Sequence, residues 1–143
     1  MPKSPPIRDF RPFIVCDEET FPQCRSFYLD LGFEILWESP NVVEFATGYG
    51  AQRFLLTSHI GLDAARIGVF HFWVDDVDAW HEHVKKIDFS KYPKSSFAEP
   101  SVAEWGWRIL YVWDPFGTLL HIAEPHSEEN KKFFREAPWM ERS

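Results

Sequence analysis

Val69-Phe70-His71-Phe72-Trp73-Val74-Asp75-Asp76 is a short apolar run closed by two aspartates. It reads as a strand that leads into a helix start. Phe13-Ile14-Val15-Cys16-Asp17 has the same character about 60 residues earlier, a spacing too long for most solenoid repeats. The segments after the two runs also agree. After the first, Thr20-Phe21-Pro22-Gln23 has a capping-box pattern with proline inside the first turn. Phe21, Cys24, Phe27, Tyr28 and Leu31 recur at helical spacing, and Gly32 stands where a helix-ending glycine belongs. Phe33 to Trp37, Val42 to Ala46 and Arg53 to Thr57 then read as strands, punctuated by Ser39-Pro40-Asn41 and Gly48-Tyr49-Gly50.

After the second run, Asp76 is a fair N-cap, and Val77, Trp80, Val84 and Ile87 mark the buried stripe of a helix. A Ser/Pro-rich stretch, Lys91 to Pro100, separates it from the strand Arg108 to Trp113. The turn Asp114-Pro115-Phe116-Gly117 and the strand Thr118 to Ala123 come next. A strand, a helix and then further strands thus occur twice in one domain of 143 residues. Module one spans about residues 8–58 and module two about 66–125. The tail, 126–143, carries Glu128-Glu129, Phe133 and Phe134 on a short helix.

Composition narrows the function. Forty-five per cent apolar residues with 26% charged is globular composition. No apolar run approaches the roughly 18 residues that cross a bilayer. Met1-Pro2-Lys3-Ser4-Pro5-Pro6 has no apolar signal stretch, so a cytoplasmic protein is expected. Two cysteines, Cys16 and Cys24, make neither a disulfide scaffold nor a zinc cluster. A net charge of −7 argues against nucleic acid and anionic membrane as partners. Aromatics reach 17%, with seven Trp and 14 Phe, more than packing alone needs. Some of them are expected to line a pocket or an interface.

The duplicated β-α-β-β-β order, Phe27-Tyr28-Leu29-Asp30-Leu31-Gly32-Phe33 and Asp114-Pro115-Phe116-Gly117 resemble the vicinal-oxygen-chelate superfamily. That superfamily includes glyoxalase I, extradiol dioxygenases, fosfomycin-resistance transferases and bleomycin-resistance proteins. The resemblance covers roughly residues 8–125. It implies an α+β fold, two tandem modules whose strands form a U-shaped mixed sheet around a cleft, with helices outside.

Enzymes of the superfamily hold a divalent metal with side chains from the first and last strands of each module. Counting from the aspartates that end the first strands puts the leading ligand positions at Phe10 and Val69, and the last-strand positions near Leu55 and at His121. Only His121 can bind a metal, so no metal site and no cofactor are expected. A register shifted by two residues places His71 beside His121, without an obvious third ligand; Glu44 and Cys16 have no support from spacing. His71 and His121 are then either hydrogen-bonded core histidines or cleft residues. His81 and His83, two apart on a helix, cannot act as an i,i+4 pair, and with His59 and His126 they read as solvated surface. No Gly-x-Ser-x-Gly, phosphate loop or Cys-x-x-Cys is present, and there is no evident nucleophile or base.

Strand alternation turns Val69, His71 and Trp73, Ile109, Tyr111 and Trp113, and Leu119, His121 and Ala123 toward the cleft. Trp105-Gly106-Trp107 is expected as a loop over its mouth. The ligand-binding set is therefore His71, Trp73, Trp105, Trp107, Tyr111, Trp113 and His121. Aromatic walls suit a planar ligand, and an acidic chain favours a cationic one.

Trp105-Gly106-Trp107-Arg108, Trp73 and the Asp114-Pro115 turn followed by His121 look most like bleomycin-resistance proteins. The resemblance implies a metal-free homodimer that sequesters a small molecule without altering it. It also implies an exchanged N-terminal arm, which Pro2, Pro5, Pro6 and Pro12 would stiffen. The alternative is a divalent-metal lyase, isomerase or dioxygenase of the glyoxalase type built on His71 and His121.

Overall fold

Each first strand lies parallel to the last strand of its own module. β1 (Phe13–Val15) pairs with β4 (Arg53–Thr57), and β5 (Val69–Trp73) pairs with β9 (Leu119–Pro125). The computed structural model describes residues 5, 11–48, 52–58 and 69–136. With β2 (Glu34–Ser39) and β3 (Val42–Ala46), the first sheet runs β1-β4-β3-β2. The second repeats that order as β5-β9-β8-β6, where β6 is Ser96–Phe97 and β8 is Trp107–Trp113. β7 (Ser101–Val102) also pairs with β8. The second strand of module two therefore lies at the Ser/Pro-rich stretch, split around Glu99-Pro100, since proline has no N–H for a ladder. The architecture is α+β, two mixed sheets built from tandem modules.

Helix α1 (Phe21–Asp30) has proline in its first turn, as its sequence implies. The capping box does not form. Thr20 has helical dihedrals, φ −89° and ψ −9°, and makes no side-chain capping bond. The entry turn is held instead by Asp17, whose Oδ1 accepts from the Thr20 N–H at 2.8 Å and from its hydroxyl. These bonds draw the Asp17 carboxyl below its ordinary pKa. Gly32, at φ +102°, ends the helix, and the Phe33 N–H reaches back to the Tyr28 carbonyl. Helix α2 (Val77–Lys85) is capped by Asp76, which accepts from the Ala79 N–H at 3.1 Å. Helix α3 (Glu128–Glu136) comes after β9. No described helix is long and apolar enough to cross a membrane.

Both sheets and the first two helices share one core, in which Phe27, Tyr28, Leu31 and Phe45 meet Leu110, Val112 and Leu120. Tyr28 stands at its centre, within 6.1 Å centroid distance of Phe27, Phe33, Phe45 and Phe54. Its hydroxyl would be costly to bury alone. Asp114 of the Asp-Pro-Phe-Gly turn resolves this by accepting from it, while its other oxygen accepts from the N–H groups of Phe116 and Thr118. Cys16 and Cys24 are buried free thiols, and contact with Cys16 together with burial pushes the Cys24 thiol upward.

A candidate ligand-binding face

On the second sheet, alternate side chains point to opposite faces. Phe70, Phe72, Leu110, Val112, Leu120 and Ile122 pack toward the helices. His71, Trp73, Tyr111, Trp113 and His121 occupy the other face. The ladder puts His71 opposite His121, and His121 opposite Tyr111. Three rings therefore form a row across β5, β9 and β8. Tyr111 and His121 meet edge-on at 5.0 Å, and His121 and His71 at 5.6 Å. Trp113 stacks beside Tyr111 at 6.5 Å and 27°.

Trp73 stacks on Trp107 at 4.8 Å and 28°. Trp107 is not part of a loop, as its sequence neighbours imply. It is the first residue of β8, opposite Pro125, and only 6% exposed. Gly106, with φ +88°, makes the turn that lets the chain enter the strand there. Trp105 does lie in the preceding loop, 52% exposed, with its ring 5.6 Å from His71. All seven expected residues thus belong to one neighbourhood, but Trp107 is packed rather than presented.

Phe133 and Phe134 complete this neighbourhood, 5.8 and 5.9 Å from Trp73. Sequence reasoning placed them on a tail helix but gave no reason to fold that helix back; only the amphipathic spacing of the tail carried a signal. A cavity of about 790 Å³ runs along the outer edge of β5. Ile14, Phe54, Phe72, Trp80 and Arg53 line it, with His71, Trp73 and Phe134.

The register places the two face histidines. Val69 pairs with Leu119, so the shifted alignment is the one found, with His71 beside His121. Phe10 lies outside the described residues. The equivalent row in the first sheet is Phe13, Leu55 and Glu44. Glu44 is already paired with Arg11 and Arg53. Two imidazoles, with Phe13 and Leu55 at the equivalent positions of the first sheet, do not fit the four-ligand divalent centre of the enzymes. Burial lowers the pKa of both imidazoles, and each other's proximity adds to the effect at His71. One cluster of three carboxylates, Asp76, Asp78 and Glu124, occurs among the described residues. The Arg108 guanidinium fills it, 2.8 Å from Asp78 and 3.3 Å from Glu124.

The remaining histidines stand apart from the face. His83 contacts the Asp30 carbonyl at 3.1 Å and ties α2 to α1, and the His81 ring lies against Phe97. The His126 N–H bonds the Gly106 carbonyl, and His59 lies outside the described residues.

No protein-family model and no curated protein matches the chain. Solved structures do. A bleomycin-binding protein complexed with bleomycin aligns with a TM-score of 0.67 at 23% identity, over 84% of this chain and 100% of the other. The bleomycin-binding protein of Streptomyces verticillus, complexed with copper(II)-bleomycin, gives 0.66 at 21%, over 87% and 100%. Lactoylglutathione lyase from Agrobacterium tumefaciens gives 0.61 at 24%, over 84% and 95%. The repeated sheet order and these likenesses converge: the chain has the fold of bleomycin-binding and glyoxalase-type proteins.

Proposed function

We propose that this protein binds an aromatic, cationic small molecule on the second-sheet face and does not transform it. The observation that carries the reading is the row His71–His121–Tyr111 with Trp113 stacked beside it. It offers ring faces and neutral imidazoles, with Trp105 exposed at its margin. Planar ligands are held by such walls through stacking. The preference for a cation rests on the net charge of −7. A metal-free cytoplasmic homodimer with no nucleic-acid partner completes the reading. Phe13 and Val69, exposed on the edge strands of the two sheets among the described residues, support the dimer. The single domain over 1–143 and the exchange of the N-terminal arm belong to the same proposal.

Tryptophan fluorescence during titration with metal-free bleomycin tests it. Saturation near one drug per subunit, weakened at least tenfold in Tyr111→Ala, is the expected result. An unchanged spectrum at saturating drug removes the bleomycin-like reading.

A second reading is a glyoxalase-type metalloenzyme, favoured by one observation. His71 and His121 are adjacent, and both are shifted toward the neutral form that ligates metals. Stoichiometric zinc, nickel or manganese in the purified protein, lost in His121→Ala, would establish it.

A further inference from the structure

Helix α3 belongs to neither module, and it covers the tryptophan end of the ligand face. Trp73 contacts Trp107 and the rings of Phe133 and Phe134. Phe134 also reaches Trp107, at 6.4 Å. These are the distances at which a protein holds a ligand ring. The helix occupies ground that an aromatic ligand would occupy.

Among the described residues its hydrogen bonds centre on Gly106. The Gly106 carbonyl accepts from the N–H groups of His126 and Ser127, at 2.8 and 3.0 Å, and from Asn130 Nδ2 at 3.1 Å. Asn130 Nδ2 also donates to the Trp105 carbonyl at 2.9 Å. No residue of α3 is buried, and Phe133 is 52% exposed. Segments with few buried contacts open at low free-energy cost. A Cβ at Gly106 would meet Ser127 Oγ at 2.6 Å, so the loop and the helix start fit only through glycine.

Resting on the ligand-binding reading, we propose that α3 is an internal competitor whose Phe133 and Phe134 hold the Trp73–Trp107 end until a ligand displaces them. The ligand class follows from the two ends of the face. One ring system fits the open end at Tyr111 and Trp113, and a second, linked ring system replaces the phenylalanines at Trp73. Phe134 also borders the cavity beside β5, so its departure joins the face to that space.

The test uses the full chain and its Phe133→Ala/Phe134→Ala variant in calorimetric titrations. Metal-free bleomycin, which carries several linked ring systems, is one probe, and tryptamine, a single-ring-system cation, is the other. Removing the competitor raises bleomycin affinity about tenfold if α3 is open in about one molecule in ten. Tryptamine affinity stays unchanged. Unchanged bleomycin affinity overturns the competitor while leaving the binding reading intact. Weaker binding makes the phenylalanines part of the pocket wall and overturns it as well.

If neither probe binds either protein, the ligand reading fails for these probes and α3 is judged by hydrogen exchange. Amides of α3 that exchange well before global unfolding, and faster in Asn130→Ala, uphold a helix that opens. Exchange only through global unfolding overturns it.

Discussion

The Tyr28 hydroxyl donates to Asp114 Oδ2 at 2.8 Å, where neither side chain reaches solvent. Tyr28→Phe leaves that oxygen without its partner while preserving the ring contacts. An unsatisfied buried acceptor costs about 1–3 kcal/mol. Urea unfolding of the variant is expected to show a loss of that size with an unchanged m-value. Equal stability would mean that the turn relaxes to give Asp114 another donor.

Burial raises the Asp114 pKa, against the lowering effect of Tyr28 and the turn amides. The folded state therefore holds its proton to higher pH than the unfolded chain does. This contribution to stability is fully present below about pH 4 and is lost as pH rises through the folded pKa. Asp114→Asn removes the loss. The stability difference, variant minus wild type, is expected to grow with pH from 4 upward in paired urea titrations.

His71 and His121 work in the opposite direction. Their folded pKa values lie below the ordinary histidine value, so the unfolded chain takes up protons first on acidification. Stability falls as pH drops below about 6.5 and levels off below the folded values. His71→Gln/His121→Gln is expected to flatten that part of the profile. A proton-NMR titration showing either imidazole above 6.5 would reverse the sign.

Arg108 is the counter-ion of Asp78 and Glu124, with Asp76 beside them. The site is partly exposed, so Arg108→Gln is expected to cost about 1 kcal/mol or less. Without the guanidinium, the three carboxylates become a cation trap. Millimolar calcium is expected to raise the melting temperature of the variant and not that of the wild type. Differential scanning fluorimetry with and without calcium reads this directly.

Gly32 ends α1 at φ +102°, with ordinary space around the position of a Cβ. Gly32→Ala is therefore limited by backbone strain, at about 1–2 kcal/mol. Thermal unfolding of the variant gives the value, and no loss would mean that the helix end reorganises.

The repeat was legible because strand and helix periods are local properties. Asp76 as a cap, Gly32 as a helix end, and the inward parity of His71, Tyr111 and His121 all follow from spacing alone. Register was not legible. Whether Val69 or His71 meets His121 depends on how β5 slides along β9, and either choice keeps the same face inward. Thr20 misled because Asp17 takes over the entry turn through a competing side-chain bond. Phe133 and Phe134 were visible as residues, but their packing on Trp73 is a tertiary contact with no local signature.

Tyr28 comes from module one and Asp114 from module two, and both sit in one core. Neither half therefore owns a finished interior. A chain that buried Tyr28 without Asp114 would strand a hydroxyl, and a lone module two would strand a carboxylate. The two copies of the repeat are obliged to melt together, in one cooperative transition, although each repeats the same plan.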